Sequence, residues 1–201
     1  MTIDHEIIDA RLATLRNGRL PVLWPADVVG VQSRHWIGRL ILHMQAIKTG
    51  AAALTHLAGV DRDPWLIESV GHVRRVNVLG VYGDAPIMVW RQRHWSLAQR
   101  QAIAARWRSV VNQPYGYLRL ILAGIDSLIP GQRYPLTGLA GLDHFKVCSS
   151  LIAWGTDKET GTNNFGLPWR AVTPDSAHDW CRAHPEDWEL AYTSLATRAG
   201  G

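Results

Sequence analysis

The chain has 201 residues, 47% of them apolar and 19% charged, which is enough to enclose a hydrophobic core and fits one globular domain spanning residues 1–201. The formal charge of +4 comes from basic residues scattered between Arg11 and Arg198 without a dense run, so no nucleic-acid partner is expected. Two cysteines, Cys148 and Cys181, in dissimilar contexts exclude a disulfide framework and a zinc pair, leaving free thiols.

In chain order, Ile7, Ile8, Leu12 and Leu15 have the spacing of an amphipathic helix over residues 4–16, stopped by Asn17-Gly18 and forming a helical N-terminal extension of about 20 residues. Its first residues have neither the basic start nor the apolar stretch of a signal peptide. No later run reaches the roughly 20 apolar residues of a membrane span, so a cytoplasmic or phage-borne product is expected. Residues 27–31 read as a short strand. A second helix is predicted over 36–48, with Trp36, Leu40, Ile41, Met44 and Ile47 on one stripe. That stripe packs on the core, or faces an acyl chain or membrane if the substrate is a lipid.

From residue 54 to 92 the pattern changes to short β-rich runs between turn formers, at 54–60, 65–70, 73–81 and 87–92. It reads as an antiparallel meander. Helices follow at 96–111, behind a Ser96 cap, and at 117–128; residues 130–146 read as a loop over the site or an insertion. A short buried helix is predicted over 147–155, and Thr173-Pro174-Asp175 opens the last helix with a cap residue and then proline. The ten tryptophans are expected to fill the core and its margins rather than form a binding surface.

Three residues stand out chemically. Cys148 lies where a loop runs into an apolar helix, and the positive end of a helix dipole favours the thiolate that attacks carbonyls. A buried structural cysteine is the plainer reading of that local pattern. His56 begins one predicted strand, and Glu68 is the lone carboxylate of the next. With residues 61–64 as the turn, the two side chains fall near one end of the ladder, where a carboxylate can orient an imidazole. Such a pair is what a thiol nucleophile requires: a base to take its proton and a polar group to fix the ring.

The order of these motifs carries a resemblance. His-x-Ala-Gly-Val from His56, Ile-Glu-Ser around Glu68, Tyr-Gly-Tyr at 115–117, Val-Cys-Ser-Ser-Leu-Ile-Ala-Trp around Cys148, then Pro-Trp and Thr-Pro-Asp, together resemble the circularly permuted NlpC-type, papain-like cysteine hydrolases of the YiiX-like branch. The likeness covers roughly residues 27–188. It implies an α+β fold in which a small antiparallel sheet or barrel packs against the helix that bears the nucleophile. It also implies Cys148 as nucleophile, His56 as base, Glu68 as third member, Tyr115 or Tyr117 as a substrate-binding tyrosine, and no cofactor. The implied substrate is a peptide or acyl-amide, with peptidoglycan peptides foremost. A lipid-directed acyl hydrolase or acyltransferase, and a phage structural protein that keeps the fold with little activity, are the alternatives.

Weaker constellations remain. His144 is a rival base close to Cys148, and Ser149 and Ser150 lack a nucleophile elbow and are expected to cap the helix. His178, Cys181 and His184 lack a fourth ligand and do not share one helix face, so no metal is expected.

Overall fold

The computed structural model describes residues 22–32, 54–83, 85–114 and 146–195. The helices predicted over 4–16, 36–48 and 117–128 lie outside these residues, as do His144, Tyr115 and Tyr117.

The described strands form one open antiparallel sheet. They are β1 (Val28–Val31), β2 (His56–Arg62), β3 (Trp65–Val70), β4 (His72–Asn77), β5 (Ile87–Gln92) and β6 (Trp188–Thr193), in the spatial order β4-β3-β2-β1-β5-β6. The all-apolar run Val28–Val31 is buried throughout, as suits a central strand covered on both faces. Alternation then sorts the residues of neighbouring strands between two cores. Val28, Leu57, Ile67 and Trp90 join the larger one, while Val29, Val31, Ala58, Val60, Leu66 and Val89 form the smaller on the other face.

The four described helices are α1 (Val78–Tyr82), α2 (Leu97–Arg108), α3 (Cys148–Thr160) and α4 (Pro174–Ala183). Ser96 and Gln99 close a reciprocal capping box on α2; Thr173 and Ser176 do the same on α4, with Pro174 at its first position. α2, α3 and α4 contribute Ile103, Trp107, Leu151, Ile152 and Ala177 to the larger core. Val78 of α1 belongs to the smaller one.

Trp107 fixes how α3 sits on the sheet. Its ring is fully buried, and its Nε1–H donates to the Ile152 carbonyl at 3.2 Å. A Cβ at either Gly59 of β2 or Gly155 of α3 would overlap that ring. Glycine is required at both positions by close approach. Trp90, Trp95 and Trp188 are buried too, and Trp24 is the exposed tryptophan among the described residues.

Three expectations need correction. Residues 73–81 are not one strand: β4 ends at Asn77, whose side chain accepts from the Leu79 N–H and so caps α1. The apolar run Val78-Leu79-Gly80-Val81 has β composition, and the cap overrides it. The helix predicted over 147–155 continues to Thr160, where Gly161 takes a left-handed φ of 74°. Strand β6 was not foreseen, because its half-exposed residues lack clean alternation and its pairing partner β5 is distant in sequence.

Candidate active site

The hairpin β2–β3 sets the first relation. Ala58 pairs with Glu68, so His56, two residues along, lies diagonal to Glu68 on the same face. His56 Nε2 donates to Glu68 Oε2 at 3.0 Å. Both residues are buried, Glu68 completely. His56 is the first residue of β2, which puts its ring at the end of the sheet where a helix from the opposite layer can meet it.

That helix is α3. Cys148 is its first residue and is buried. The charge of His56 and the backbone N–H dipoles of Leu57 and Ser149 act on the Cys148 sulfur and favour its anionic form. With Nε2 committed to Glu68, Nδ1 is the nitrogen left for the sulfur. Ser69, next to Glu68, donates its hydroxyl to the Lys146 carbonyl at 2.7 Å, which ties the approach to Cys148 onto β3. Ser150 accepts from the Val147 N–H at 3.0 Å and thus caps α3 as expected. Ser149 does not: its hydroxyl bonds the Val172 carbonyl instead.

The electrostatics follow from this geometry. Burial raises the Cys148 thiol, but the charge and hydrogen bond of His56, with the two backbone N–H groups, outweigh it and leave the pKa below the ordinary value. Burial disfavours charge on His56, yet the sulfur and Glu68 together push the imidazolium up to about 10. Burial opposes the Glu68 carboxylate as well. His56, Tyr82 and Arg74 overcome it and hold Glu68 at about 2. The shifts of Cys148 and His56 both run toward a thiolate–imidazolium pair, with the Glu68 carboxylate behind it.

Two partners of Glu68 had not been singled out from the sequence. Arg74 stands directly opposite Glu68 in the β3–β4 register, and its Nε and Nη2 reach Oε1 at 2.8 and 2.7 Å. The Tyr82 hydroxyl donates to Oε2, the oxygen that also receives His56. Continuing the meander's register around Gly71 would have placed Arg74. Tyr82 was hidden because the short helix that carries it reads as strand.

No family model matches the chain, and no curated protein matches it significantly. Among solved structures, the chain is similar to the metalloprotein YiiX of Escherichia coli O157:H7, with 15% sequence identity, a TM-score of 0.49, and coverage of 88% of this chain and 90% of that one. Among the described residues, no group of three or more His, Cys, Asp or Glu side chains is arranged to hold a metal ion. No helix among them is long and apolar enough to cross a membrane.

The remaining candidates lie apart from this cluster. His178 and Cys181 are buried on α4 against the larger core, while His184 stacks on Trp180 and bonds its carbonyl. Burial pushes the Cys181 thiol well above its ordinary range, which keeps it protonated and inert.

Proposed function

We propose that the protein is a cysteine hydrolase that cleaves an amide bond through an acyl-enzyme, with Cys148 as nucleophile, His56 as acid and base, and Glu68 orienting the imidazole. The observation that carries this reading is the buried His56–Glu68 hydrogen bond, electrostatically coupled to the buried thiol of Cys148 at the start of α3. The thiolate attacks the substrate carbonyl, and its oxygen takes the negative charge. Backbone N–H groups in the first turn of α3 face that oxygen, since the first N–H groups of a helix have no acceptor within it. The imidazolium gives its proton to the leaving amine, the C–N bond breaks and a thioester remains. The neutral imidazole then takes a proton from water as the water adds to the thioester. Collapse expels the Cys148 thiolate, releases the carboxylic acid product and restores the pair.

Peptidoglycan peptides are the substrate class, a choice supported by the order of the sequence motifs around His56, Glu68 and Cys148. Incubating the protein with muropeptides and following new amines by mass spectrometry tests it. Cys148→Ala should lower turnover by at least about a thousandfold, as removal of a nucleophile does elsewhere. Hydrolysis that survives full alkylation of Cys148 would rule the mechanism out.

A further inference from the structure

We propose that Arg74 is a positioning residue, a two-point clamp on Glu68 that reserves one carboxylate oxygen for His56. The inference rests on the hydrolase reading above and adds a residue that touches neither the sulfur nor the imidazole. Glu68 is fully buried and is the only carboxylate bonded to His56 among the described residues. A carboxylate on a flexible stem can present either oxygen, and a buried one can also become neutral by taking a proton. Arg74 prevents both. Its Nε donates to Oε1 at 2.8 Å and its Nη2 lies 2.7 Å from the same oxygen, so a planar guanidinium holds Oε1 by a directed hydrogen bond and a close ion pair. The register makes the contact a directed one, since Arg74 and Glu68 are cross-strand partners while His56 approaches diagonally from β2 on the other side. Oε2 is thereby turned toward His56, with the Tyr82 hydroxyl as a second donor on the same oxygen. The groups facing Glu68 are therefore His56 from β2, Arg74 from β4 and Tyr82 from α1, with Cys148 of α3 beyond the imidazole.

The clamp acts on the thiol through Glu68 and His56. Without the guanidinium, Glu68 takes a proton at higher pH; once neutral it no longer supports the imidazolium, and the thiolate is lost with it. The full chain carrying Cys181→Ser, so that a single thiol reports, is alkylated with iodoacetamide across pH, and the rate is followed by mass spectrometry. Arg74→Met should displace the low-pH limb of the rate profile upward by about one unit or more, the effect of removing a cation beside a carboxylate. Arg74→Lys keeps the charge but not the directed Nε hydrogen bond, and its limb should fall between those of wild type and Arg74→Met. In parallel, the downfield His56 Nε2–H proton resonance, which reports the bond to Glu68, should weaken in the same order. A limb within about 0.2 unit of wild type in either folded variant overturns the clamp, being far below the shift a lost neighbouring charge produces. Should Arg74→Met fail to fold, Arg74→Lys decides alone: a displaced limb supports the clamp and a superimposed one overturns it. The two readings fail separately. An inert Cys148 in the wild type defeats the hydrolase reading, whereas a reactive Cys148 indifferent to Arg74 defeats only the clamp.

Discussion

At the scale of single residues, the state of Cys148 is the most direct test of the site. Because His56 holds its proton up to about 10, the thiolate keeps a positive partner from mild acid to that pH. Alkylation of Cys148 should therefore stay fast well below the pH near 8.5 at which a free cysteine ionises. His56→Ala removes the cation and should slow alkylation near neutrality most. Glu68→Gln should slow it less, since an amide still orients the ring but lacks the charge. Rate profiles that superimpose for all three proteins would show that neither residue activates the thiol. Cys181→Ser should leave the Cys148 profile unchanged, because Cys181 packs in the core away from the site; an equal loss of turnover in both cysteine variants would defeat that expectation. The candidate triad was legible in the sequence because each member sits where a local pattern marks it: a strand start, a lone carboxylate among apolar neighbours, a loop entering a helix. Arg74 and Tyr82 were not, because their contact with Glu68 depends on exact register and on a five-residue helix set by one asparagine cap.

At the scale of elements, the placement of α3 depends on the room that two glycines leave for Trp107. Gly155→Ala and Gly59→Ala should each destabilise by about 1–3 kcal/mol through overpacking, read as a lower urea midpoint. An unchanged midpoint for both would mean that the tryptophan moves aside at little cost. A second element-level anchor is Asp27, which precedes β1. Fully buried, it receives Arg91 from β5 at 2.7 and 2.9 Å and Arg100 from α2 at 3.3 Å. Asp27→Asn would leave the buried Arg100 without its counter-charge, and breaking a buried pair in this way costs about 3–5 kcal/mol. A loss under about 1 kcal/mol, the range of exposed pairs, would show that water reaches the cluster. Most described elements were readable from the sequence because caps, turns and apolar runs are local signals. The order of the strands was not, since β1 lies between β2 and β5 and nothing in its four apolar residues names those neighbours.

At the scale of the whole molecule, the site leaves a pattern in stability against pH. His56 is raised, so its contribution is full below 6.5 and is lost as pH climbs to about 10. Cys148 is lowered, so its contribution is full above 9.0 and is lost as pH falls through its folded value. Between 6.5 and 9.0 the unfolded chain holds one proton, on the sulfur, and a folded thiolate–imidazolium pair also holds one, on the imidazole, so for that pair the two slopes cancel. Stability relative to the Cys148→Ala/His56→Ala double variant should be flat across that window in denaturant titrations and fall on either side. A steep slope inside it would mean that the folded pair holds more or fewer than one proton there; which atom carries the proton is read from the alkylation profile. Glu68, lowered to about 2, adds a further loss as pH drops below 4.5. Strand β3 bears on how steadily these groups meet. Glu68 and Ser69 are consecutive, one turned toward His56 and the other holding the carbonyl two residues before Cys148. A rigid displacement of β3 therefore carries the imidazole's partner and the root of the nucleophile in the same direction, and their separation changes by less than either one moves. The strand thus gives the two ends of the triad a common frame of reference. Ser69→Ala, which removes a hydrogen bond worth about 0.5–1.5 kcal/mol net, would let the two ends of the triad drift independently.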